Sequence, residues 1–137
     1  MSAMSVVGTQ RRVMIVDDFS DITATLSELV VLLGHEVCCA NHGGEALVLA
    51  RAFRPDLVLL DLGMPEIDGF EVARRLRDCP GGRDIEIIAM SGWGHQAARD
   101  QARQAGFDRH FLKPITVAHL HALLAPRKLR APALPAR

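Results

Sequence analysis

Four short apolar runs in this sequence end on polar residues able to do chemistry. "VMIVDD" ends in Asp17 and Asp18, "DLVLLD" in Asp61, "IEIIAMS" in Ser91 and "DRHFLK" in Lys113, with Pro114 next. Two adjacent carboxylates at a strand end repel each other. A third brought beside them would raise the pKa values of the group and strain the fold. A hard divalent cation resolves that conflict, and oxygen donors with room for water suit magnesium. The lysine adds a fixed positive charge and the serine a hydroxyl, both suited to an anionic group held at or attached to Asp61. A carboxylate that attacks phosphorus, with cations neutralising the oxygens, is one covalent strategy for such a set.

These residues meet only if the strands that carry them are neighbours. Residues 13–17, 56–61 and 85–91 are continuously apolar, as strands covered on both faces of a parallel sheet must be. "HEVCCA" and "DRHFLK" supply two more strand candidates. Helical spacing lies between them: Ile22, Leu26, Leu29, Val30 and Leu33 before Gly34; Ala46, Leu49, Ala50 and Phe53 before Pro55; Phe70, Ala73 and Leu76. "HQAARDQARQAG" offers only alanines on its apolar face, and "TVAHLHALLA" carries Val117, Leu120 and Leu124. The βα order, five times over, predicts a flavodoxin-like doubly wound five-stranded parallel sheet with helices on both faces. Ligands in that architecture sit at the carboxyl ends of the strands, near the topological switch point.

Composition removes several other functions. The chain of 137 residues is one domain long, 49% hydrophobic and 23% charged, with sixteen basic and sixteen acidic residues. Zero net charge gives no general attraction to nucleic acid or an anionic membrane. The apolar runs are too short to span a bilayer, and no signal-peptide pattern opens the chain. Cys38, Cys39 and Cys79 have no metal-type spacing and read as reduced thiols of a cytoplasmic protein. The six histidines are scattered and give no zinc set. Asp68-Gly69 reads as a turn and cap into the third helix, and "PGGR" (80–83) as a flexible loop rather than a phosphate cradle. Residues 1–10 read as a flexible lead, 11–125 as the domain and 126–137 as a Pro/Ala-rich tail; Arg127, Lys128 and Arg130 there read as solvated.

With these residues in place, the sequence resembles the receiver domain of two-component response regulators. The resemblance rests on "VDD" (16–18), "LLDLGMPEIDGFE" (59–71), "AMSG" (89–92) and "FLKPI" (111–115), and it covers nearly the whole chain. It implies a strand order of 2-1-3-4-5, Asp61 as phospho-acceptor, and magnesium bound by Asp17, Asp18, Asp61 and the Gly63 carbonyl. It implies that Lys113 and Ser91 contact the phosphoryl group and that the Lys113–Pro114 peptide is cis. His110 stands where receivers usually carry tyrosine or phenylalanine as the switch aromatic, and Ser91 replaces the commoner threonine. "GWG" (92–94) with "QAGFDRHFLKP" most resembles receivers attached to hybrid histidine kinases.

The implied function is phosphorelay signal transduction. A histidine kinase or histidine phosphotransfer protein supplies the phosphoryl group, and the only catalysis is of the domain's own phosphorylation and dephosphorylation. A downstream protein partner is expected on the face of the fourth helix, fifth strand and fifth helix. The enzyme alternative is a magnesium-dependent phosphohydrolase with an aspartyl nucleophile. Phosphatases of the haloacid-dehalogenase type place a general-acid aspartate two residues after the nucleophile, where this chain has Gly63. A flavodoxin-like electron carrier would need a Ser/Thr/Gly phosphate loop where this chain has the acidic "DDFSDIT", and more aromatics than 4%.

Overall fold

The computed structural model describes residues 10–64, 66–92 and 96–125, apart from the side chains of 96–99. Trp93, Gly94, Ala97, Ala98 and the basic C-terminal residues therefore lie outside the description. Strands β1 (Arg12–Val16), β2 (Glu36–Ala40), β3 (Leu57–Asp61), β4 (Glu86–Ser91) and β5 (Arg109–Leu112) alternate with helices α1 (Ser20–Leu32), α2 (Gly43–Phe53), α3 (Gly69–Asp78), α4 (Gln96–Gln104) and α5 (Val117–Leu124). All pairings are parallel and the order is β2-β1-β3-β4-β5, as the sequence predicts.

Period-two alternation sorts the strand side chains into two layers. Val13, Ile15, Leu57, Leu59, Ile88 and Met90 pack with Leu26 and Val30 of α1 and with Leu120, Leu123 and Leu124 of α5. Met14, Val16, Val58, Leu60, Ile87 and Ala89 pack with α2, α3 and α4. Strand β3 is buried along its whole length, whereas the edge strands β2 and β5 are only partly covered. Adjacent Cys38 and Cys39 reach opposite layers, and both are free thiols. Burial lifts Cys38 first, with the Cys39 charge adding, to a pKa of about 11, which leaves it protonated and inert at neutral pH.

Local signals set the helix starts. Asp68 caps α3 by accepting from the Glu71 N–H at 3.0 Å, and His42 does the same for α2 through Nδ1 at 3.2 Å. Thr116 and His119 form a capping box at α5. The acidic pair does not cap α1. Phe19 holds that position, with no side-chain cap. The "PGGR" segment differs from expectation: residues Gly82–Asp84 form a 3-10 turn rather than a flexible loop. A Cβ on Gly82 would lie 1.9 Å from the Leu76 carbonyl oxygen. Arg77 donates to the Gly82, Ile85 and Gly106 carbonyls and to Asp108, so the turn is tied down. Composition signalled freedom where packing and one arginine remove it.

Candidate functional site

The site follows from topology. After β1 the chain enters α1 on one face, and after β3 it enters α3 on the other, which opens a crevice above the carboxyl ends of these neighbouring strands. Asp17 follows β1 directly and Asp61 is the last residue of β3. The close seat of α3 depends on Gly69, since a Cβ there would fall 2.3 Å from the Asp61 carbonyl oxygen and 2.8 Å from Leu62 Cα. Any larger residue would push α3 off the strand that carries Asp61.

Carboxylate oxygens of Asp17, Asp18 and Asp61 lie within 4.8 Å of one another. Asp17 is fully buried and Asp61 is 6% exposed, while Asp18 faces solvent. Lys113 sits against the two buried ones, its Nζ 2.7 Å from Asp17 Oδ2 and 3.3 Å from Asp61 Oδ1. Burial, then the Asp17 charge, raise the Asp61 pKa above the usual carboxylate range, and Lys113 opposes them only in part. Burial also works to lower the Lys113 pKa, but its bonds to Asp17 and Asp61 outweigh that and raise it.

Two carboxylate oxygens are already placed by the backbone. Asp17 Oδ1 accepts from the Phe19 N–H at 3.0 Å, and Asp61 Oδ1 accepts from the Gly63 N–H at 3.3 Å. Asp61 Oδ2 is engaged by no described residue. Asp17 Oδ2 is buried and meets the Lys113 ammonium without hydrogen-bond geometry. Three carboxylates against one ammonium leave a local deficit of positive charge, in an all-oxygen donor set. That set fits a magnesium ion, with Asp17, Asp18 and Asp61 as the acidic side chains that would hold it.

Ser91 and Lys113 come from adjoining strands. Ser91 ends β4, one residue beyond the Met90 that pairs with Asp61, and Lys113 donates its N–H to the Ser91 carbonyl at 2.8 Å. The Lys113–Pro114 peptide is cis. The Ser91 hydroxyl is 2% exposed and lies 2.8 Å from His110 Nε2. Two contributors escaped the sequence reading. Asn41, just past β2, donates to the Asp17 carbonyl at 2.9 Å and to Thr23 Oγ1 at 3.3 Å, tying α1 to the acidic loop. Its place beyond a strand end was the available signal. Gly69 was read as part of a turn, and its contact with Asp61 was not foreseen.

The sequence profile of the response regulator receiver domain matches residues 13–125. The chain belongs to this family. This receiver shares 36% identity over 107 residues with the polar-differentiation response regulator DivK of Brucella anthropi, covering 78% of this chain and 87% of DivK. The chemotaxis protein CheY4 of Vibrio cholerae aligns with a TM-score of 0.80 at 26% identity, over 84% of this chain and 96% of that one. The receiver domain of the sensor histidine kinase PA1611 from Pseudomonas aeruginosa has magnesium coordinated in its active-site cleft. It aligns with a TM-score of 0.76 at 28% identity, over 84% of this chain and 94% of its own. Receiver domains are signalling domains that work with histidine kinases and downstream partners. Among the described residues, no helix is long and apolar enough to cross a membrane.

Proposed function

We propose that this receiver accepts a phosphoryl group on Asp61 and passes the signal on through protein contacts. The observation that carries the reading is Asp61 itself: a buried carboxylate with Oδ1 held by Lys113 and Gly63 and Oδ2 engaged by no described residue, beside two further carboxylates. An Asp61 oxygen attacks the phosphorus of a phosphohistidine, the P–O bond forms, the P–N bond breaks, and the leaving imidazole takes up a proton. Asp17, Asp18, Asp61 and the Gly63 carbonyl would hold magnesium, which would supply charge neutralisation for the phosphoryl oxygens. Lys113 provides a fixed cation for the same oxygens, and its raised pKa keeps it charged at neutral pH. Ser91 offers a hydroxyl to the phosphoryl group, which competes with its bond to His110. The domain catalyses only its own phosphorylation and dephosphorylation. The phosphohydrolase reading is not favoured, because Gly63 presents an N–H to Asp61 where a general acid would stand.

The output surface is the face of α4, β5 and α5. Ala102 and Ala105 are buried in the core and contribute only methyl groups to the seating of α4, so this helix is held by little apolar area and is easily re-seated. Leu112 and Val117 are 47% and 52% exposed on the neighbouring elements, which suits a partner's apolar surface. The chain acts in the cytoplasm, where kinase or phosphotransfer partners present phosphohistidine. Incubation with acetyl phosphate and magnesium, followed by intact mass, tests the central claim. The expected adduct is one phosphoryl group, absent in Asp61→Asn and in EDTA. An adduct that persists in either sinks it.

A further inference from the structure

The cleft farthest in character from the acidic site lies between the C-terminal ends of α2 and α3. It encloses about 890 Å3, within the range of small-molecule sites. Its floor is apolar, with Leu47 and Ala50 of α2, Leu76 of α3 and Ile85 before β4. Its rim is basic: Arg51, Arg54 and Arg75, with Asp78 as the acidic member. Arg75 is paired with Glu71 at 2.9 Å. Arg51 and Arg54 have no carboxylate partner among the described residues.

Arginines at a helix C-terminus often do no more than offset the dipole. That reading accounts for Arg51, which lies in the last turn of α2. It does not account for Arg54. This residue ends α2 in the left-handed region, at φ 56° and ψ 65°, where glycine or asparagine is the favoured choice. Pro55 follows at once, and a residue before proline is pressed toward extended backbone. A bulky cation is thus held in strain where a glycine would relax the turn. Strain of this kind persists where a side chain has work to do.

We infer that this cleft binds a small phosphomonoester with an apolar or aromatic body. Arg51 and Arg54, two lining residues with no carboxylate partner among the described residues, carry the charge that a phosphate monoester requires, each guanidinium able to offer two parallel N–H donors. The apolar floor takes the body. The partial negative charges of the two helix ends weaken the site for an anion, which is why two free arginines are needed rather than one. The cleft shares none of its lining with the Asp61 crevice, so occupancy does not depend on the acceptor reading.

The test is amide chemical-shift mapping in EDTA, which removes divalent cations from the acidic end. 1-Naphthyl phosphate, adenosine monophosphate, inorganic phosphate and 1-naphthol serve as probes. Saturating shifts at Leu47, Arg51, Leu76 and Ile85 are expected with naphthyl phosphate. Inorganic phosphate and naphthol should each bind at least about tenfold more weakly, since each keeps one half of the recognition. Adenosine monophosphate binding as tightly as naphthyl phosphate identifies a nucleotide as the source, and weaker binding a phosphorylated metabolite. Arg54→Gly should weaken naphthyl phosphate about tenfold yet raise the melting temperature by roughly 2–4 °C, because it relaxes the turn. Arg51→Ala should weaken binding with little change in melting. No saturation at the four amides, or equal binding by Arg51→Ala and Arg54→Gly, overturns the assignment.

Discussion

The two ends of the sheet treat buried charge in opposite ways. At the amino end, Arg11 is 4% exposed and its guanidinium is fully used: Nε reaches Asp56 at 2.9 Å, Nη2 reaches Glu86 at 3.1 Å, and Nη1 donates to the Leu123 carbonyl at 3.2 Å. Its backbone N–H donates to His35 Nδ1 at 2.9 Å. At the carboxyl end, Asp17 and Asp61 share one ammonium with solvent-facing Asp18 nearby. Each end sets two carboxylates against one cation. Every guanidinium nitrogen of Arg11 has a hydrogen-bond partner, whereas buried Asp17 Oδ2 has none and a third carboxylate stands beside it. The first cluster ties α5 to the residues that open β1, β3 and β4. The second is the one a further cation would complete.

The largest expected effect is therefore at the end that does no chemistry. Arg11→Ala takes a buried guanidinium from Glu86 and Asp56 and its N–H from the Leu123 carbonyl, at a cost of about 3 kcal/mol. Urea denaturation measures it. A loss smaller than that of a surface Arg74→Ala control would dissolve the contrast between the two ends. Gly69→Ala comes next, at about 2 kcal/mol, because its methyl group must displace the Asp61 carbonyl or the whole of α3. Unlike Arg11→Ala, it should also slow phosphorylation of the folded protein by acetyl phosphate.

At the acidic end the sign reverses. Asp61→Asn removes a charge that burial and Asp17 make unfavourable, so the metal-free protein should gain on the order of 1 kcal/mol at pH 7. The raised pKa means that the folded chain binds this proton more tightly than the unfolded one. Stability from this group therefore falls as pH rises from the ordinary carboxylate range through the raised value. The gain in Asp61→Asn should shrink as pH is lowered from 7 toward the ordinary carboxylate range. His35 works the other way. Burial first, and then Arg11, lower its pKa, so its contribution is complete above about 6.5 and is lost as pH falls below that. The cost of His35→Gln should also shrink toward pH 5. Chemical denaturation of both variants in EDTA checks the two trends; a growing difference in either contradicts the charge assignment at that end.

Magnesium sharpens the same comparison. At ten times its dissociation constant the ion should stabilise the protein by about 1.4 kcal/mol. Asp18→Ala should remove much of that response while leaving metal-free stability equal or slightly higher, since Asp18 faces solvent and only repels its neighbours. The Arg11 cluster should not respond. Thermal melts with and without magnesium read both, and an Asp18→Ala protein that melts lower in EDTA would contradict the repulsion argument.

The carboxyl-end set was legible because residue type and position coincide there: a charged residue closing a core strand is conspicuous in one dimension. The parallel sheet followed from the βα alternation and the apolar continuity of residues 13–16 and 57–60, while the strand order came with the resemblance to receivers. Arg11 was not legible, because its partners Asp56 and Glu86 lie where β3 and β4 begin and only the parallel register brings them beside it. Gly69 was seen as turn chemistry, since no local signal reports the carbonyl 2.3 Å from its missing Cβ. The "PGGR" turn misled for the converse reason. Two glycines signal a loop, but the long reach of Arg77 across to Gly106 and Asp108 is what holds it.

One small expected stability change carries the most information about signalling. His110 replaces the usual switch aromatic, and its Nε2 lies 2.8 Å from the Ser91 hydroxyl. In the neutral tautomer with Nε2 unprotonated, Ser91 donates to the ring, and that proton is not available to a phosphoryl oxygen. A protonated ring donates to Ser91 instead and releases the hydroxyl proton. His110→Phe keeps a planar ring of similar size and removes the bond to Ser91, at a cost of about 1 kcal/mol. Beryllofluoride, a phosphoryl mimic, should then bind several-fold more tightly, because Ser91 no longer has this bond to give up. Amide hydrogen exchange across residues 91–112 follows the consequence for α4 and β5, with the largest change on binding expected in the wild type, where the bond must break. Equal affinities for wild type and variant, together with unchanged protection when the mimic is bound, would remove His110 from the switch and leave Ser91 to act without it.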